Sequence, residues 1–209
     1  MQNRPDVSLL KNTYLETYKS IKSCLMHHNF SLLLSRNVER QVFDIVITAQ
    51  KQKVPTKKLE CNKDLNKFCN NLIYEYNKGV SVVQQMIEGV FIYSLLMFFF
   101  SLLDVVVGKV VAVNTIVICS LIFIGYFTAS MVLRRKKEYD PKLRSLLVLV
   151  LIFIPFMLMS YLKSQVGILT MVIPLTYSLL ILLITFIVAA ISYYILIKKY
   201  DLFLFIKGK

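Results

Sequence analysis

The chain contains no tryptophan and no motif that carries a recognised chemistry. There is no nucleophile elbow, Walker loop, HExxH, GxGxxG or paired-carboxylate arrangement in its 209 residues. Catalysis therefore has no support in the sequence, and neither a catalytic residue nor a cofactor is expected. Cysteine is limited to Cys24, Cys61, Cys69 and Cys119, with no CxxC pair. The polar start MQNRPDVSLLKNTYLETYKS also lacks the continuous apolar core of a secretory signal. Both absences point to reduced thiols facing the cytosol. Glycine and alanine are scarce in the apolar half, so a homo-oligomer joined through small residues, although the simplest assembly, has few such residues to use. Without tryptophan, the interfacial aromatic role falls to Tyr126, Tyr161, Tyr193 and Tyr194.

What the chain does have is apolar length and positive charge. Hydrophobic residues make up 56% of it, more than a soluble domain of this size carries. Long apolar runs begin only near residue 87, and four of them, near 87–107, 110–133, 145–162 and 170–197, are each long enough to cross roughly 30 Å of hydrocarbon. The last could be tilted, kinked at Pro174 or prolonged beyond the membrane.

Residues 1–82 read instead as a helical domain. Tyr14, Tyr18, Ile21 and Leu25 recur at helical spacing, as do Val38, Val42, Ile45 and Ala49 after Asn37 as N-cap, and Leu65, Phe68, Leu72 and Tyr76. The segments HHNFSLLLS and KVPTKK separate the three stretches. The expected fold is all-α: an N-terminal three-helix cytosolic domain over 1–82, followed by a four-helix transmembrane bundle over 83–209.

The formal net charge of +13 would suggest nucleic acid in a soluble protein, but here its placement matters more. Arg134, Arg135, Lys136, Lys137, Lys142 and Arg144 crowd one loop, Lys198 and Lys199 follow the last run, and the N-terminal region is basic as well. The two remaining connections are nearly uncharged. Because Lys and Arg near spans stay on the cytoplasmic side, both termini and the 134–144 loop are expected in the cytosol of a multi-pass cell-membrane protein. Attraction to lipid head groups, about 1 kcal/mol per basic residue, comes with that placement. The loop is too short, and too poor in aromatics, to read nucleic acid directly. Leu202 to Ile206 beside Lys207 and Lys209 would suit a tail lying on the membrane surface.

Candidate sites are few. Asp104, Asn114, Thr115, Ser120, Thr128 and Pro174 form a possible polar seam in the membrane half, although such residues are more often packing devices. Asp104 and Glu88 fall near span boundaries, where interfacial water reaches a carboxylate. Cys24, His27 and His28 with Cys61 and Cys69 suggest zinc, yet adjacent helical residues diverge by about 100° and the two parts are expected at opposite ends of the domain, so no metal is assigned.

Taken together, LLKNTYLETYKSI (9–21), ERQVFDIVITAQKQKVPTKKL (39–59) and DLNKFCNNLIYEY (64–76), followed by four spans, resemble a group of small Gram-positive membrane proteins of unknown function. Their N-terminal region is similar to the cytosolic HAAS domain. That resemblance implies a signalling or accessory membrane protein that accompanies PadR-like regulators and membrane partners. The expected function is a non-enzymatic adaptor or regulator that binds a protein partner through its cytosolic domain, with membrane lipid around the rest. A small transporter or accessory subunit of an exporter is the alternative, and an immunity or stress-protection protein a further one.

Overall fold

The structure, a computed structural model, describes residues 5–29, 31, 33–108, 110–134, 141–162, 165–167 and 171–204, without the side chains of 60, 62, 141–145, 148 and 152. The chain divides into two compact units. One gathers Met1–Val80, Ser130–Leu143 and Ile197–Lys209; the other holds Ser81–Ala129 and Arg144–Leu196.

The first unit is built on helices α1 (Asn12–His28), α2 (Arg36–Lys51), α3 (Glu60–Lys63) and α4 (Leu65–Lys78). Each main helix is started by a group its sequence supplies. Ser35, not Asn37, caps α2, its side chain accepting the Asn37 amide, while Asp64 accepts the Lys67 amide at the start of α4. At α1 the cap comes from elsewhere: the Gln50 side chain accepts the Lys11 amide at 2.8 Å and donates to the Leu9 carbonyl at 2.9 Å. Tyr14 reaches across to the Val54 carbonyl.

These ties close a core containing Tyr18, Ile21, Leu25, Val38, Val42 and Val46. Two of the expected stripes shift. In α2, Ile45 is 39% exposed while Phe43 and Val46 turn inward. In α4 the buried positions are Cys69 and Ile73, and Phe68, Leu72 and Tyr76 are only half-buried. Both helices carry adjacent apolar rows, and periodicity alone does not say which row faces the core.

The unit also contains a sheet that the all-α expectation lacks. Strand β1 (Leu33–Ser35) pairs antiparallel with β2 (Leu202–Leu204), Leu34 standing opposite Phe203. Asp201 turns the chain into β2 with φ 52°, a left-handed conformation that Asp tolerates better than most residues. The Arg36 amide donates to the Asp201 carbonyl, and the Arg36 guanidinium sits 3.6 Å from the Asp201 carboxylate. Leu202 and Phe203 are therefore buried in this unit, and do not form a surface tail. The rest of the tail, 205–209, lies outside the described residues.

The second unit is built from α5 (Val82–Gly108), α6 (Val113–Leu133), α7 (Pro141–Leu162) and α8 (Leu175–Tyr200), of which α6, α7 and α8 extend past its bounds. Among the described residues α5, α6 and α8 are each long and apolar enough to cross a membrane; α7 carries a shorter apolar stretch, Leu149–Leu162. At 27 residues α5 measures about 40 Å. Outward-facing Leu179, Leu183, Phe186, Ile187 and Ile191 are bare, a surface that hydrocarbon covers and water does not. Inside, Gly125 lets α6 approach α7 so closely that a Cβ there would collide with Leu151.

Of the alternatives for the last run, a kink at Pro174 does not occur, because α8 starts one residue later. Pro174 stands at its threshold, with its carbonyl accepting the Ser178 amide at 3.0 Å. A residue without an N–H loses nothing there. Pro155 does lie inside a helix, α7.

Candidate functional site

Among the described residues, a cavity with polar walls is found in each unit. In the membrane half, Asp104 at the end of α5 and Asn114 and Thr115 in the first turn of α6 share a cavity of about 490 Å³ with Phe100, Phe156, Met159 and Ser160. Asp104 Oδ2 accepts both the Ala112 amide, at 3.1 Å, and the Thr115 hydroxyl, at 2.5 Å. The carboxylate thus serves the exposed amides at the start of α6, as a capping side chain would, from eight residues upstream. The adjoining turn is pinned a second time: the Val113 amide donates to the Met171 carbonyl, the Ile173 amide to the Val111 carbonyl, and the Val111 amide to Ser178 Oγ.

The other seam residues do not join this cavity. Ser120 lies 3.4 Å from the Tyr93 hydroxyl and donates to the Ile116 carbonyl. Thr128 folds back on the Ile124 carbonyl, the local bond a helical threonine makes when it serves no ligand. Pro174 stays at the head of α8. The six-residue seam is thus reduced to Asp104, Asn114 and Thr115.

In the helical unit a groove of about 480 Å³ runs between α2 and α4. Val38, Phe68, Leu72 and Tyr76 make its floor, and Asn37, Gln41, Asn71 and Glu75 its rim. The floor is the half-buried row that the α4 periodicity had pointed inward. These residues still pack against the core, as their spacing led one to expect, but only with one side; the extra row, Cys69 and Ile73, was the signal that α4 has more apolar surface than one core contact uses.

Of the basic cluster, Arg134 is buried near the end of α6, and Lys198 and Lys199 are exposed at the end of α8, with Lys199 5.5 Å from the Tyr200 ring. Arg135, Lys136 and Lys137 lie outside the described residues, as do the side chains of Lys142 and Arg144. The cysteines bring a correction: Cys24 on α1 and Cys69 on α4 are not at opposite ends of the domain, the Cys24 sulfur lying 3.6 Å from the Leu65 carbonyl of α4 and the Cys69 sulfur 3.9 Å from the Ile21 carbonyl of α1. Among the described residues, no group of three or more His, Cys, Asp or Glu side chains is disposed to hold a metal ion.

Comparison of the chain with protein-family models, with curated proteins and with solved structures finds no match.

Proposed function

We propose that this chain is a multi-pass membrane adaptor, without enzymatic activity of its own, that holds a protein partner against its helical unit. The observation that carries the reading is the α2–α4 groove. A half-buried apolar floor edged by uncharged amides and one carboxylate suits an amphipathic helix laid along it, a mode in which spaced apolar anchors supply affinity and the rim sets register. The HAAS-like resemblance of this region agrees in kind.

The strand pair supports the topology expected from charge. Strands hydrogen-bonded to one another share one aqueous compartment, so the chain between β1 and β2 crosses the membrane an even number of times. With α5, α6 and α8 as three crossings, α7 supplies the fourth. The grouping of the basic 130–143 segment with the helical unit fits the same arrangement, with both termini cytosolic. The transporter alternative, around the Asn114 to Thr128 seam and Pro174, is the weaker of the two: Ser120 and Thr128 bond to their own helix, and the Asp104 carboxylate is already engaged by α6.

Crosslinking of the tagged full-length protein in its native membranes, followed by mass spectrometry, tests the adaptor. One protein should be recovered in near-stoichiometric amount, and the exposed rim changes Gln41→Arg with Asn71→Arg should lower that recovery about tenfold, a loss of about 1.4 kcal/mol. Recovery of no partner, or of one indifferent to both changes, sinks the reading.

A further inference from the structure

We propose that Cys24 and Cys69 are a peroxide-responsive thiol pair, in which Cys24 is the attacking sulfur and Cys69 resolves it to a reversible disulfide joining α1 to α4. This inference does not depend on what occupies the groove. Both cysteines are reduced and buried, on helices that pack directly against each other. The Cys69 thiol points at the turn of α1 that carries Cys24, its sulfur 3.9 Å from the Ile21 carbonyl. Cys24 points back at the first turn of α4, its sulfur 3.6 Å from the Leu65 carbonyl and 3.8 Å from Asn66 Oδ1. Each sulfur thus lies against the turn of the other's helix, which brings the two thiols to face one another across the α1–α4 contact.

One turn after Cys24, His28 is 4% exposed, with Nε2 3.3 Å from Asn66 Oδ1. Its other ring nitrogen, Nδ1, is buried and makes no well-formed hydrogen bond. Cys24, Asn66 and Asn70 are the side chains that act on this imidazole, and of these Cys24 is the one that can exchange a proton with it. The groups that face Cys24 divide the roles. The Cys69 thiol, then His28 and His27, draw the Cys24 ionisation below its ordinary range. Cys24 in turn raises that of His28, and Cys24, burial and Cys61 together push Cys69 upward. One cysteine is thus favoured as thiolate and the other as thiol, the asymmetry that attack and resolution require.

The oxidant is a hydroperoxide, hydrogen peroxide being the simplest. The Cys24 thiolate attacks one peroxide oxygen, the O–O bond breaks, and the departing oxygen leaves as water with the proton of the His28 imidazolium. Cys24 is then a sulfenic acid. Cys69 attacks the Cys24 sulfur, the S–S bond forms, the S–O bond breaks, and the oxygen leaves as a second water, taking the Cys69 proton. Two electrons pass from the thiol pair to one peroxide. Closing the bond draws the sulfurs to about 2 Å.

The test treats the full-length protein in its own membranes with hydrogen peroxide, blocks free thiols and maps linked peptides without reduction. A Cys24–Cys69 peptide should dominate every other cysteine pair by at least about tenfold and vanish with dithiothreitol, as expected of a reversible disulfide. Cys69→Ser should trap Cys24 as a dimedone-reactive sulfenic acid, and Cys61→Ser should leave the Cys24–Cys69 link intact. His28→Asn should slow link formation without abolishing it. The proposal is overturned if wild-type protein forms no such link at peroxide levels that sulfenylate Cys24, or if the dominant link includes Cys61. The wild-type map needs no variant to fold, so a misfolded substitution does not blunt the result.

Discussion

Glu39 is buried in the helical unit and accepts two hydrogen bonds, from the Tyr18 hydroxyl at 3.1 Å and the Lys22 ammonium at 2.6 Å. Burial, and then the Glu39 carboxylate, push the ionisation of Tyr18 above its ordinary 10.0. The unfolded chain therefore loses this proton before the folded one does. The stability Tyr18 contributes is present below pH 10.0 and is lost as pH rises beyond it toward the folded value. Tyr18→Phe should cost about 1 kcal/mol at neutral pH and flatten that alkaline loss. Urea unfolding on both sides of the tyrosine range checks this; wild type and variant falling in parallel would refute it. Asp104 is the comparable residue of the membrane half. Asp104→Ala strands the Ala112 amide and the Thr115 hydroxyl and should cost about 1–3 kcal/mol, whereas Asp104→Asn keeps an accepting oxygen and should cost less. Thermal unfolding in detergent ranks the two, and equal losses would mean that the charge, not the acceptor, is what α6 uses.

At the scale of elements, β2 is short but places Phe203 in the core beside residues from α1, α2 and α4. Two three-residue strands are marginal by themselves, so their pairing depends on that side chain more than on the ladder. Phe203→Ala should destabilise the helical unit by about 3 kcal/mol and release β1 with it. Hydrogen exchange at Leu33–Ser35 in the intact protein is the readout, and unchanged protection there would show that the ladder stands without Phe203. The helix α4 shows the same dependence on surroundings. Its two apolar rows were visible in the sequence, but the row turned inward was decided by α1, whose Ile21 and Cys24 leave room for Cys69 rather than Phe68.

At the scale of the molecule, the prediction is topological. Single cysteines placed at Val107, in the last turn of α5, and at Lys199, in the last turn of α8, are both at exposed positions. A membrane-impermeant maleimide should label Val107→Cys from outside intact cells and Lys199→Cys only after permeabilisation. The unsubstituted protein, labelled in parallel, sets the background from the four native cysteines. Labelling of Lys199→Cys in intact cells would reverse the orientation, and labelling of both would break the even crossing number that the strand pair supports.

The apolar runs, the amphipathic stretches and the asymmetry of basic residues were legible without coordinates, because each is a local property: a helical period, a length set against hydrocarbon thickness, a charge count per loop. They gave a helical region followed by membrane-length helices, and named Asp104, Asn114 and Thr115. What required the tertiary structure were meetings between segments distant along the chain. Leu34 against Phe203, Cys24 against α4 and Cys69 against α1, Asp104 capping a helix eight residues on, and Phe68 shared between the core and a groove all arise from packing and loop closure. No period in the sequence encodes them, because the free energy that selects one partner over another is that of the assembled interior, not of either segment alone.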